Sequence, residues 1–302
     1  METIFQKVKR LGLKMSVQKA IGYKAAFNIA YRANSSYLNE GGIQEQFISF
    51  PHSKEYWYAD PLIFTYNGET YVFMEAYNKK KKKGAIAYSL INESGISVPE
   101  IIIEESYHMS FPLVFEWDEC IYMIPETEAN DSINIYKCCN FPNKWILHQS
   151  IKTDIKIVDS IILDKSEERM QFLASTFDIK NVKLVKHILY YLNSDVEGKF
   201  SIEIQDEVSD CFDYVQRNAG QLISVNEKNI LVSQRSTDAV YGYSLLFFYI
   251  KSINPFIYDK SNMIEIQPKD IKLNANVNIL GVHTYSRNEK FELIDYEYLE
   301  RY

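Results

Sequence analysis

Asp60, His108, Asp159, Arg217 and His283 recur at or just before short apolar runs, and Glu75, Glu126 and Gln234 end the runs that follow. Side chains of these types, gathered in one pocket, suit chemistry at a sugar anomeric centre. One carboxylate acts as base or nucleophile, a second group gives a proton to the leaving oxygen, and further polar groups grip hydroxyls. An Arg or His beside a leaving phosphate would stabilise the charge developing there. We take Asp60, Glu126 and Asp159 as the candidate catalytic set, with Glu75, His108, Arg217 and Gln234 binding substrate and His283 among them.

The elements that must position these residues come from an internal repeat. Residues 57–77 and 108–126 share one phrase: polar residues, Pro-Leu-hydrophobic-Phe, a short turn, an aromatic strand and a terminal Glu. A period of roughly 50 residues is the signature of a propeller or a related array. The fold expected is all-β, a five-bladed β-propeller with a short N-terminal helical extension. Blade one runs from Asp60 to Leu90 with Asn67-Gly68 as its first hairpin turn. Blade two runs from His108 to Tyr136, with turns at Trp117-Asp118-Glu119 and Ala129-Asn130-Asp131. Blade three opens near Asp159, blade four near Arg217 and blade five near Gly281. The lone run Phe47–Phe50 is placed to complete blade five, while residues 251–280 read as an irregular connecting segment. His108 falls near the Asp60 position of the repeat, though out of strict register.

Residues 4–33 carry roughly helical apolar spacing, with Gly12 and Gly22 as breaks. The expected domains are therefore a basic helical extension over 1–45 and the propeller over 46–302. Seven basic and three acidic residues give the first 45 positions a charge of +4, leaving −11 for the rest of a chain whose net charge is −7. That leader could pack on the propeller or lie on an anionic membrane through residues 1–33. The acidic remainder argues against nucleic-acid binding.

The 302 residues are 46% hydrophobic, with 23 Tyr and 17 Phe, enough for a large core rich in strand-forming aromatics. The four cysteines show no metal-ligand spacing. Neither a Gly-rich phosphate loop nor a G-x-S-x-G elbow occurs, so no cofactor, metal or serine-nucleophile chemistry is expected. No secretory signal or apolar run long enough for a spanning helix is visible. The expected location is the cytoplasm, peripheral at the inner face of the membrane.

Trp57-Tyr58-Ala59-Asp60-Pro61, Phe73-Met74-Glu75, His108-Met109-Ser110-Phe111-Pro112, Met123-Ile124-Pro125-Glu126, Arg217-Asn218-Ala219-Gly220, Tyr241-Gly242 and His283-Thr284 together resemble the N-terminal domain of glucosamine inositolphosphorylceramide transferases and its stand-alone bacterial relatives. That domain is similar to the five-bladed propellers of glycoside hydrolase family 43. The resemblance covers about residues 46–296. It implies carbohydrate chemistry, puts Asp60 where the hydrolases keep their base or nucleophile and Asp159 where they keep a blade-three carboxylate, and adds Tyr241 to the substrate-binding set. The hydrolases' blade-four acid is replaced here by Gln234-Arg235-Ser236. The expectation is a glycosyltransferase-like protein moving a sugar from an activated donor, such as a sugar nucleotide, to a glycan or glycolipid acceptor. The alternatives are a hydrolase of furanosides or pentosides and a non-catalytic glycan-binding propeller.

Overall fold

The computed structural model describes residues 22–34, 46–127, 132–166, 168–178, 181–207, 216–225, 227–237 and 240–301. In chain order, β1 (Tyr23–Ala33) and β2 (Ile48–Ser49) precede blade one, built from β3 (Tyr56–Tyr66), β4 (Glu69–Asn78), β5 (Lys83–Asn92), β6 (Gly95–Ile96) and β7 (Glu100–Ile103). Blade two comprises β8 (Ser110–Trp117), β9 (Cys120–Glu126), β10 (Ser132–Asn140) and β11 (Lys144–Lys152). Blade three follows as β12 (Val158–Lys165), β13 (Arg169–Asp178), β14 (Asn181–Ser194) and β15 (Phe200–Glu207). In blade four, β16 (Gln216–Asn218) and β17 (Ile223–Val225) share the inner place, beside β18 (Lys228–Arg235), β19 (Ser244–Ser252), β20 (Ile257–Tyr258) and β21 (Ile264–Ile266). The last two strands, β22 (Tyr285–Arg287) and β23 (Phe291–Arg301), pair with β1 and β2 in the order β2-β1-β23-β22. Five antiparallel sheets result, so the fold is the five-bladed propeller that the repeat predicts.

The ring is closed differently from the expectation. Residues 23–33 form a strand paired along its full length with β23, from Tyr23 opposite Arg301 to Ala33 opposite Phe291. The helical reading of this stretch is thus corrected; residues 1–21, which carry the rest of that reading, lie outside the described residues. The reason is burial on both faces. Ala26 and Ala30 enter the core shared with blade four, while Ile29 enters the core shared with blade one. A strand apolar on both sides loses its period of two, and its apolar spacing then imitates a helix. The run around Phe47 is the outer edge of this sheet, not its closing strand. Residues 251–280 also contribute more than a connection, because β20 and β21 both pair with β19.

Hydrophobic layers lie between adjacent blades. One joins blades two, three and four around Phe172, Tyr190 and Phe248; the others lie between four and five, five and one, and one and two. The hairpin turns have the left-handed residues that a tight antiparallel turn requires: Asn67 and Gly68 at φ 49° and 78°, and Asp118 and Glu119 at 49° and 55°. The second turn expected in blade two, at residues 129–131, lies outside the described residues.

Candidate active site

The innermost strands of blades one, two and three share one irregularity. Pairing slips between Ala59 and Leu62, between Ser110 and Leu113, and between Val158 and Ile161. At each slip one residue has left-handed backbone: Asp60 at φ 51°, Phe111 at 43° and Asp159 at 50°. A bulge of this kind re-aims a side chain, and bulky residues accept positive φ only where the surroundings hold them there. The structural counterpart of Asp60 in blade two is therefore Phe111. His108 lies three residues earlier, outside the strand, which corrects the rough equivalence read from the repeat.

The second strands follow the same register. Ala59, Ser110 and Val158, each just before its bulge, face Glu75, Glu126 and Ser175, and Arg217 faces Gln234 in blade four. Glu75, Glu126 and Gln234 therefore hold matching places, as the repeat predicts. Asp295, on the second strand of blade five, was not singled out by sequence reading. The signal that could have found it is the same strand-two carboxylate pattern.

Asp295 is fully buried and organises one side of the site. Its oxygens accept the backbone N–H groups of Asp60 (3.0 Å), His283 (3.0 Å) and Thr284 (2.8 Å). They also face Nδ1 of His283 at 2.7 Å. Nε2 of the same ring lies 3.6 Å from Oδ1 of Asp60. Burial alone would lower the His283 pKa, but the Asp295 carboxylate, its contact with the ring and the Asp60 carboxylate outweigh it and push the pKa up to about 9. Asp60 also accepts the hydroxyl of Thr284 at 3.0 Å and the N–H of Phe111 at 3.2 Å. Its pKa is nevertheless raised, first by desolvation; His283 opposes the rise, and Asp295 and Asp159 add to it.

A second cluster joins blades two, three and four. Nε of Arg217 donates to Oδ2 of Asp159, Nη2 donates to Oδ1 of Asp159 (2.8 Å) and to Glu126 (2.5 Å), and Nη1 donates to the Tyr241 hydroxyl (3.0 Å). That hydroxyl also accepts Nε2 of Gln234 at 3.2 Å, so its own proton remains available. Desolvation holds the Glu126 pKa well above the usual carboxylate range although Arg217 pulls it down; Asp159 and Asp60 reinforce the rise. Burial thus favours the protonated form of Glu126, and the Arg217 guanidinium opposes it. Among the described residues one N–H of Arg217 is left for a ligand, and both ring nitrogens of His283 face carboxylates. The expectation that these two cations meet a leaving phosphate loses its geometric basis.

Glu75 and His108 form a third group. Nε2 of His108 lies 3.4 Å from Oε1 of Glu75. Burial raises the Glu75 pKa well above the ordinary value, with Asp60, Glu126 and Asp295 adding to the effect. These mutual influences link all three groups electrostatically around the axis, so the structure brings the nine sequence-predicted site residues into one neighbourhood. Rings flank it in an unbroken series: Tyr241 against His283 (5.6 Å between centroids), His283 against Phe27 (4.7 Å), Phe27 against Trp57 (5.3 Å), Trp57 stacked on Tyr77 (4.3 Å) and Tyr77 beside His108 (6.1 Å). Phe27, Trp57 and Tyr77 were not among the predicted site residues; Phe27 arrives on the strand misread as helix.

Asp60, His283 and Asp295 each offer one ligand atom within 4.8 Å of the others, among the described residues a possible cation position. The imidazolium already supplies positive charge there, and a metal would have to displace its proton.

Two solved propellers share the architecture. A GH62 α-L-arabinofuranosidase catalytic domain of Coprinopsis cinerea superposes with a TM-score of 0.53 at 12% identity, over 82% of this chain and 93% of that one. An exo-β-1,3-galactanase of Phanerochaete chrysosporium gives 0.54 at 10%, over 79% and 63%. Identities this low show the fold alone. By sequence, the chain is 32% identical over 107 residues to glucosamine inositolphosphorylceramide transferase 1 of Arabidopsis thaliana, covering 35% of this chain and 14% of that protein. It is 23% identical over 218 residues to the japonica rice protein of the same name, covering 71% and 27%. The chain thus spans only about a seventh to a quarter of these relatives. The model of glucosamine inositolphosphorylceramide transferase 1, N-terminal, matches residues 47–283, and to that family the chain belongs.

Proposed function

We propose that the propeller axis transfers a glycosyl unit to a hydroxyl of a glycan or glycolipid acceptor. The observation that carries this reading is the pairing of two unlike carboxyl environments on neighbouring blades. Asp60 is held between hydrogen-bond donors and the His283 imidazolium, whereas Glu126 shares the Arg217 guanidinium with Asp159 and burial raises its pKa well above the ordinary value. Two carboxyls in unlike surroundings on neighbouring blades are what acid–base work at an anomeric carbon requires. In this reading Asp60 takes the acceptor proton, or attacks the anomeric carbon. Glu126 gives its proton to the leaving oxygen, and Asp159 stabilises oxocarbenium-like charge. Glu75, His108, Gln234, Tyr241 and the free Arg217 N–H hold hydroxyls.

Family membership supports a carbohydrate role, and the names of the relatives fit a glycolipid acceptor. We place the protein at the cytoplasmic face of a membrane, with membrane contact confined to the basic residues before the strand that begins at Tyr23. A second reading, hydrolysis of a neutral glycoside, is favoured by the engagement of Arg217, which leaves little to receive a departing phosphate. The deciding experiment is mass-spectrometric turnover of sugar nucleotides and neutral glycosides, with and without membrane extract, by wild type and Asp60→Asn. Acceptor-dependent donor consumption that the substitution abolishes supports transfer. Water-dependent cleavage of neutral glycosides alone supports hydrolysis, and no turnover of either class leaves a glycan-binding propeller.

A further inference from the structure

In the corner of the site occupied by Trp57, Tyr77, His108 and Glu75, the two aromatic rings have no part in the proposed chemistry and the polar pair only a general hold on hydroxyls, yet three features there converge on a distinct ligand position. The first concerns the proton on His108. The backbone N–H of Gly84 donates to its Nδ1 at 3.0 Å. An amide N–H can only donate, so Nδ1 is the acceptor of a neutral ring and the proton resides on Nε2. Desolvation lowers the His108 pKa, in keeping with that neutral form. The ring is 42% exposed, so Nε2–H is a donor fixed at the edge of the pocket.

The second feature is Glu75. Its side chain is 6% exposed, and Oε1 is a buried oxygen with no hydrogen-bond partner among the described residues. The His108 donor stands 3.4 Å from it, too far for a good bond. Buried carboxyl oxygens without partners are rare, and they mark a site that awaits a ligand or a water. A hydroxyl fits that need, since it can donate to Oε1 and accept from Nε2–H at once.

The third feature is the half-buried Trp57–Tyr77 stack, at an interplanar angle of 10°, whose Tyr77 ring leads directly to His108. Rings of this kind offer apolar surface to the C–H groups of a sugar while the neighbouring polar pair takes a hydroxyl. Gly84 permits the arrangement. A Cβ there would lie 2.4 Å from the Met109 carbonyl oxygen, 2.6 Å from Oε1 of Glu75 and 2.9 Å from Cε1 of His108.

We propose that Trp57, Tyr77, His108 and Glu75 form a saccharide subsite beside the Asp60 centre, which seats a neutral sugar ring against the aromatic stack and one of its hydroxyls between Nε2 of His108 and Oε1 of Glu75. The inference rests on the carbohydrate reading of the axis and adds to it a second seat and a charge class. Anionic ligands are disfavoured because Glu75 has carboxyl neighbours and no cation of its own.

The test is NMR of the full chain with 15N-labelled histidine and tryptophan, titrated with methyl glycosides of common hexoses and pentoses, their disaccharides, and uridine diphosphate as the anionic probe. Binding of a neutral saccharide is expected to shift the Trp57 indole and His108 Nε2 signals while Trp117 and Trp145 stay fixed. Tyr77→Ala or His108→Asn should each weaken that binding about tenfold, the size of one lost contact or hydrogen bond. Gly84→Ala should remove it, and the other two variants carry the test if that protein does not fold. A saccharide that shifts His283 but neither Trp57 nor His108 overturns the subsite and leaves the carbohydrate reading standing. Failure of every saccharide to move any of these signals overturns both, and a uridine diphosphate shift at Trp57 overturns the neutral class.

Discussion

Arg217 grips Asp159 with two donors, Nε to Oδ2 and Nη2 to Oδ1, a two-pronged contact between blades four and three. The same Nη2 reaches Glu126 on blade two. A planar guanidinium can make these contacts together, whereas an ammonium cannot. Arg217→Met is therefore expected to cost about 3 kcal/mol, the scale for leaving buried carboxyls without their cation. Urea unfolding should show the lower midpoint, with Arg217→Lys intermediate. A double variant, Arg217→Met with Glu126→Gln, should recover part of the loss. No change in midpoint for Arg217→Met would mean that the contact is not formed in solution.

His283 and His187 should tilt the pH dependence of stability in opposite directions. His283 has its pKa raised to about 9, against an ordinary value of 6.5. A base raised on folding stabilises fully below 6.5, and that contribution is lost as pH climbs through 9. His187 is buried with no partner on Nε2, and desolvation takes its pKa down to about 4, against a weaker pull from Asp159. The folded state then resists its protonation, so stability falls as pH drops from 6.5 toward 4. Asp295→Asn should flatten the alkaline limb, and His187→Gln should lift the acid limb. Chemical denaturation of the three proteins across this range measures both slopes. An unchanged alkaline slope in Asp295→Asn would remove the His283 ion pair from the account.

Asp60 demands care in choosing its replacement. Its backbone sits at φ 51°, where Asn and Asp are tolerated better than Ala. Asp60→Asn should keep the fold and lose turnover. Asp60→Ala should lose turnover and also about 1 kcal/mol of stability through backbone strain alone. Paired melting and activity measurements separate the two effects. Full turnover in a folded Asp60→Asn protein would remove Asp60 from the chemistry.

What the chain disclosed in advance follows from where its signals are local. Asn67-Gly68 marks a primed turn, and the Glu75 and Glu126 spacings mark matching strand ends, because each needs only a few consecutive residues. The bulges are also local, yet only the backbone shows that Phe111, not His108, answers Asp60. The first strand was hidden for a different reason. Ala26, Ile29 and Ala30 are buried on opposite faces by two different blades, and that partnership is not written within residues 23–33. The loss carried Phe27 with it, the ring that links His283 to Trp57 in the aromatic series around the site. Asp295 was missed because its importance lies in contacts that only the folded blade makes: with His283 and Thr284, 12 and 11 residues earlier, and with the Asp60 backbone 235 residues away.

The closing strand offers the most direct test of how the ring is held. Nε of Arg32 donates to Oε2 of Glu292 at 2.6 Å, and Nη2 faces the same oxygen at 2.5 Å. The other oxygen, Oε1, accepts the Tyr285 hydroxyl at 2.6 Å. Side-chain exposure is 2% for Arg32 and zero for Glu292, and the Phe47 ring lies under the guanidinium at 4.7 Å. Three strands of one blade are thereby tied by a single carboxylate. Glu292→Gln keeps the shape and loses the charge, which takes the Glu292 carboxylate away from the buried Arg32 guanidinium. The expected loss is about 3–5 kcal/mol. Arg32→Met with Glu292→Leu removes both charges and should restore much of it, since a well-packed apolar pair can replace a buried ion pair. Thermal and urea unfolding of the single and double variants would measure this. If the double variant were no more stable than Glu292→Gln, the strand would be held by its backbone ladder and packing, and the ion pair would not be what fastens the ring.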